Sequence, residues 1–228
     1  MISEIATLNV DDQSPVASLG FASLRVVGNR SLVTNANVAI CGSRDVTESG
    51  LDLAMAVGKA CADRGVTLVA GDAKGVDDAA EAAALRAGGS VVAVLAEGIE
   101  KWRPRASYRE WIDSDSSNFA AVSQFGDSDR WQVFRAMTRN KTVIALSAVL
   151  FVVEARLKGG TYEAGLAALR MKHPVCVLGD SEDNLSDGGR DLVRRGAQFL
   201  SPDQILSIVT NVMGGSMIAA GQQGSLAL

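Results

Sequence analysis

Histidine, cysteine and long apolar runs are what this 228-residue chain has least of. A single histidine, His173, excludes a His triad and, beside three scattered cysteines (Cys41, Cys61, Cys176), any standard zinc spacing. His173 stands just before Pro174 at the start of an apolar run and reads as structural. The odd cysteines sit in apolar or helical patterns, which suggests buried free thiols in a reducing cytoplasm. No stretch approaches eighteen apolar residues, and "MISEIATLNVDDQ" has no basic n-region, so a cytoplasmic protein with no membrane segment is expected. Strong net charge is absent too: at −4 no global basic field advertises nucleic acid, and any polyanion would have to be held by a local patch. No P-loop is present, and no G-x-G-x-x-G follows a strand, which argues against an ordinary ATPase or dehydrogenase; no cofactor and no metal are expected. With 47% hydrophobic residues, 23 glycines and 4 prolines, the chain is a packed α/β protein and not a disordered one.

Short apolar, β-branched runs alternate with longer helical patterns, the signature of a parallel sheet flanked by helices. Strands are expected at 23–27, 37–41, 66–70, 90–95, 119–123, 149–153 and 174–178, several apolar at every position as in strands covered on both faces. Helices are expected at 47–64, 76–87, 129–146, 161–172, 186–195 and 202–213, with Thr47 and Thr161 as N-caps. The fold class is therefore α/β, an extended Rossmann-like fold with a mostly parallel, doubly wound sheet. Residues 1–22 show no clear pattern and read as an N-terminal arm, 23–213 as the domain, and the small, uncharged 214–228 as a flexible tail.

Ligands of open α/β sheets collect outside the carboxyl ends of the strands, so the turns there carry the argument. After 37–41 come Gly42, Ser43 and Arg44; after 66–70 comes "AGDAKGVDDAA", with Gly71, Lys74, Gly75 and Asp77. After 90–95 stand Gly98, Arg103 and Arg105; after 149–153 stand Glu154, Lys158, Gly159, Gly160 and Thr161. Glycines let backbone approach a ligand and helix N-termini offer N–H groups to anions, so these turns together form an anion cradle. Singly, each has a plain structural reading: a tight turn, a surface arginine, or aspartates complementing a helix dipole.

Between Asp127 and Lys172, eight lysines and arginines face four acids, in a chain whose total is negative. Arg135 and Arg139 share a helix face that Asn140 and Lys141 extend, and arginines suit phosphates through forked hydrogen bonds. Trp131 and Phe134 are suited to stacking bases, but their i, i+3 spacing in an amphipathic helix favours the core. Glu154 and Glu163 are carboxylates near the cradle with the chemistry for acid or base work, though neither has a visible tuning partner.

Read in order, "GSR" (42–44), "AGDAKGVD" (70–77), "GGSVVAVLAEG" (88–98), "RNKTVIALS" (139–147) and "VVEARLKGG" (152–160) resemble the motifs of the DprA/Smf family, DNA-processing proteins of natural transformation. The resemblance covers about residues 24–210. It implies an extended Rossmann domain that dimerises, binds single-stranded DNA in a basic pocket and loads a RecA-type recombinase, supporting DNA processing and recombination without catalysis. It also implies Arg44, Lys74, Arg139, Asn140, Lys141 and Lys158 as phosphate or pocket contacts. The chain departs from the family pattern at Glu81, where a histidine is usual, at Ala136-Met137 in place of Phe-Pro, at Lys141 for arginine and at Gly159 for serine. "KGGTYEAG" (158–165) is also similar to the phosphate turn of LOG-type phosphoribohydrolases, which implies the alternative of a nucleotide-binding protein or a nucleoside monophosphate hydrolase.

Overall fold

In the computed structural model, residues 5–9, 16–34, 37–114 and 116–214 are described. Nine strands among them form one sheet: Ile5–Asn9 (β1), Ser23–Gly28 (β2), Asn37–Gly42 (β3), Thr67–Ala70 (β4), Val91–Val94 (β5), Phe119–Ser123 (β6), Val149–Val153 (β7), Val175–Leu178 (β8) and Gln198–Leu200 (β9). Their spatial order is β1-β2-β6-β5-β4-β3-β7-β8-β9. From β6 to β9 every neighbouring pair is parallel, and β2 and β1 continue the sheet antiparallel. The helices are Glu48–Arg64 (α1), Val76–Arg86 (α2), Arg109–Ser114 (α3), Val133–Ala145 (α4), Gly160–Arg170 (α5), Asp187–Arg194 (α6) and Ile205–Met213 (α7).

The doubly wound architecture follows from the strands themselves. Successive side chains of a strand point to opposite faces, and here both directions are apolar. Val38 and Ile40 join the core under α1, α2 and α7, while Ala39 between them joins the core under α4, α5 and α6. The two layers close tightly where small residues allow it. A Cβ on Gly58 of α1 would lie 2.3 Å from the Ala80 carbonyl oxygen of α2, so glycine sets that helix–helix distance. Thr47 caps α1 as expected, its Oγ1 accepting the Gly50 N–H at 3.1 Å, and Gly65 ends the helix at φ 64°. The cysteines are free thiols, and burial pushes those of Cys61 and Cys176 up to about 12.

Several expectations are corrected. The stretch read as an unpatterned arm contributes β1, whose half-exposed residues take strand form by pairing with β2, a partner no local pattern announces. Helix α4 starts at Val133, not at 129. The preceding residues are tied to the loop after β5: Gly98 N–H donates to the Asp129 carbonyl at 2.9 Å and Glu100 N–H to that of Asp127 at 3.1 Å. Thr161 is not an N-cap; Gly159 holds that position, and the Thr161 hydroxyl donates to the Gly42 carbonyl at 2.8 Å, joining α5 to the β3 turn. Helix α7 begins at Ile205, after a 3-10 turn closed by the reciprocal bonds of Ser201 and Gln204. The expected tail, apart from Gly214, lies outside the described residues.

Candidate functional site

Chain order reverses at β3: the next strand, β4, lies on one side and β7 on the other. Such a switch point splays the two following loops and opens a crevice between them. Here the crevice is two adjoining clefts of about 400 and 330 Å³ that share Arg44, Ala73, Trp131 and Arg139. The first lies over β3 and β7 and is bounded by Gly42 to Asp45, the start of α4, and Gly159 to Thr161. The second lies over β4 and β5, where Lys74, Arg103 and Arg105 join Arg44 and Arg139 against the acids Asp72 and Glu97.

The glycines work mostly by what they let in. Gly71 accommodates the Arg139 guanidinium, since a Cβ there would coincide with Nη1. Gly75, at φ 84°, brings the start of α2 against the Ser43 carbonyl, and Val76 N–H donates to that carbonyl at 3.2 Å. A Cβ on Gly42 would strike Val76 at 2.4 Å. These residues lock the β3 and β4 turns together and so fix where Arg44 emerges.

The helix N-termini around the crevice differ. That of α1 is already satisfied by an anion from the protein: Glu154, held at φ 50°, accepts from Thr47 N–H at 3.2 Å and from its hydroxyl. The first turn of α2 carries Asp77 and Asp78, and Asp77 Oδ2 accepts the Gly71 N–H at 3.1 Å. The first turn of α5 has no side-chain cap at Gly159, and it faces the first cleft. Phosphate can therefore approach the termini of α5 and α4, neither of which has a side-chain cap, without displacing a capping carboxylate.

At and beneath the floor lies a connected set of polar groups. Asp72 takes hydrogen bonds from Trp102 Nε1 (2.8 Å), Tyr108 Oη (2.7 Å) and Arg105 Nε (2.8 Å). Glu81, fully buried, accepts the Asp72 N–H at 3.2 Å through Oε1, while its Oε2 has no partner. Burial first, then the charges of Asp72 and Asp77, hold its carboxyl well above the usual range. Asp77 is pushed up to about 6, chiefly by burial, with the charge of Arg139 opposing. Arg139 is 5% exposed, its Nε has no hydrogen-bond partner, and its ion pair with Asp77 is long, 3.8 Å from Nη1 to Oδ2. Desolvation depresses its pKa against the pull of Asp77.

Of the residues singled out from sequence, Gly42, Ser43, Arg44, Gly71, Lys74, Asp77, Arg139, Asn140, Gly160 and Thr161 line the crevice. Gly75, Lys141 and Lys158 do not line it: Gly75 supports it from behind, Lys141 is exposed on α4, and Lys158 is exposed in the loop after β7. Glu154 lines the first cleft with its carboxylate bonded to Thr47, and Glu163 lies off the cleft walls. Glu81 lies under the crevice and not in its wall. The sequence reading omitted Arg156 and Trp131 from the site. Trp131 and Phe134, expected in the core, are 45% and 60% exposed because α4 starts only at Val133, which leaves Trp131 ahead of the helix and Phe134 on its first, outward turn. Among the described residues no cluster of His, Cys, Asp or Glu could hold a metal, and no helix is long and apolar enough to cross a membrane.

Fold and crevice together define an extended Rossmann-like α/β protein with an arginine-lined cleft at its switch point. The chain belongs to the DNA recombination-mediator protein A family, whose model matches residues 21–210. It is 30% identical over 180 residues to the DNA processing protein DprA of Streptococcus pneumoniae, covering 78% of this chain and 62% of that protein. The X-ray structure of the S. pneumoniae DprA superposes with a TM-score of 0.76 at 27% identity, covering 90% of this chain and 75% of that one. The DNA processing protein A of Helicobacter pylori, a structure described for its single-stranded DNA binding mode, gives a TM-score of 0.76 at 24% identity over 94% of this chain and 99% of that one. The chain thus spans about three fifths of the length of its S. pneumoniae relative.

Proposed function

We propose that this chain binds single-stranded DNA in the switch-point crevice and acts, without catalysing a reaction, in DNA processing and recombination. The observation that carries the reading is Arg139: a buried guanidinium with an unpartnered Nε and a long ion pair, opening on both clefts. A buried charge is costly unless paired, and a phosphate oxyanion supplies the missing acceptor. Arg44, Lys74 and the first turn of α5 add cationic or N–H donors along one path. The family supports a strand of DNA as the polyanion, and by the same resemblance a homodimer, a cytoplasmic location and a RecA-type recombinase as partner.

Fluorescence anisotropy with single- and double-stranded oligonucleotides at two salt concentrations tests this. Single-strand affinity should fall with salt at a log–log slope of about −0.7 per phosphate contact. Arg139→Gln should lower it on the order of tenfold or more. Salt-independent binding, or full affinity in the folded Arg139→Gln variant, refutes the phosphate assignment. Mononucleotides tight enough to displace the oligonucleotide fully would make a free nucleotide the ligand.

A further inference from the structure

Several large rings are buried: Trp102 is 6% exposed, and Tyr108, Phe119 and Phe151 are fully buried. Around the start of α4, by contrast, four large apolar side chains within seven residues are exposed, Trp131 (45%), Val133 (67%), Phe134 (60%) and Met137 (40%). A contiguous exposed apolar patch on a charged rim marks a binding surface. The two rings are also prepared in one particular way. Arg44 stands over the Trp131 ring with its guanidinium carbon 5.7 Å from the centroid, and Arg135 stands 5.6 Å from that of Phe134. Trp131 is shared by both clefts, so whatever fills either one meets this ring.

We propose that Trp131 and Phe134 form a base-stacking platform at the mouth of the crevice, and that bases of a single strand are its occupant; this rests on the nucleic-acid reading above. The cations decide the class of partner. An apolar protein face laid on the patch would desolvate Arg44 with nothing to pair it, whereas Arg135 already pairs with Asp129 at 2.8 Å. A single strand brings a base face to each ring and a phosphate to Arg44. The platform also selects against duplex, in which both faces of every internal base are stacked on neighbours. It supplies the part of the affinity that salt does not screen, while Arg139 and Lys74 supply the part that salt does.

The test compares an oligodeoxythymidine with a strand of the same length made wholly of abasic sites, which keeps the phosphates and removes the bases. Wild type should bind the base-bearing strand more tightly. The double variant Trp131→Ala, Phe134→Ala should lose about tenfold or more on that strand and under about twofold on the abasic one. Trp131→Tyr with Phe134→Tyr should restore most of the loss, and unchanged far-UV circular dichroism shows that folding is not the cause. Equal losses on both strands, or no loss on either, overturn the platform. If Arg139→Gln weakens both strands while the ring variants change neither, the platform falls and the phosphate site stands; if wild type binds neither strand, both fall.

Discussion

Two arginines on the same rim, Arg105 and Arg139, meet opposite fates. Arg105 is tied to Asp72 by Nε at 2.8 Å, in a group that Trp102 and Tyr108 complete. Arg139 faces Asp77 at 3.8 Å and leaves Nε without a partner. The β4–β5 cleft has therefore tied Asp72 and Arg105 into structure, while the boundary it shares with the β3–β7 cleft keeps a buried cation, Arg139, and an exposed ring, Trp131. Residue type does not separate the two; what separates them is whether an acceptor within reach has been used.

The comparison predicts that the Asp72 group matters most to stability. Asp72→Ala strands Trp102 Nε1 and the buried Tyr108 hydroxyl and leaves Arg105 only the carbonyl of residue 72, and should cost about 3–5 kcal/mol in urea denaturation. A loss under about 1 kcal/mol would erase the distinction between the two sides. Arg139→Ala should cost less, roughly 1–3 kcal/mol, because Asp77 keeps the Gly71 N–H. Its larger effect should be on oligonucleotide affinity, so the two arginines part on which readout moves.

Titration sharpens the contrast. Asp77 is buried and raised to about 6, so in the folded state it holds its proton to higher pH than in the unfolded chain. Its contribution to stability is then greatest at low pH and is lost as pH rises through about 6. Across pH 4 to 6 the wild-type slope from this group should amount to on the order of 3 kcal/mol, and Asp77→Asn should remove that part of it in denaturation curves taken across the range. Oligonucleotide affinity should rise over the same fall in pH, as Arg139 loses its internal counter-charge. The smallest effect is expected outside the crevice. Lys141→Ala and Lys158→Ala should each change single-strand affinity by about twofold or less, where a phosphate contact would also lower the salt slope.

Much of the architecture was legible because it rests on local pattern. Runs such as Val149–Val153, apolar on both faces, can only be covered strands, and the glycine turns after them mark the rim. Arg44 and Arg139 were readable as neighbours only through the α/β convergence rule and the family resemblance, since 95 positions separate them. The core expectation for Trp131 and Phe134 failed for a definable reason. Their i, i+3 spacing is helical, but the backbone before them is held at Asp127 and Asp129 by Glu100 and Gly98, so the helix starts only at Val133, which local periodicity does not show. Glu81 stood out in the sequence only as a departure from the family pattern; its full burial beneath Asp72 depends on residues that local pattern does not bring together.

By itself the sequence determined the strand–helix alternation, the doubly wound sheet and the set of cations and glycines at its rim, because each depends on spacing along a few residues. Only the tertiary structure decided which of those groups remain available. It gave the α1 terminus to Glu154, the Asp72 acceptors to Arg105 and its neighbours, and the Arg139 guanidinium a place against Gly71. Those assignments depend on distances between residues far apart in the chain, and a buried charge is satisfied or left open by what packs within about 3–4 Å of it, not by its neighbours in sequence.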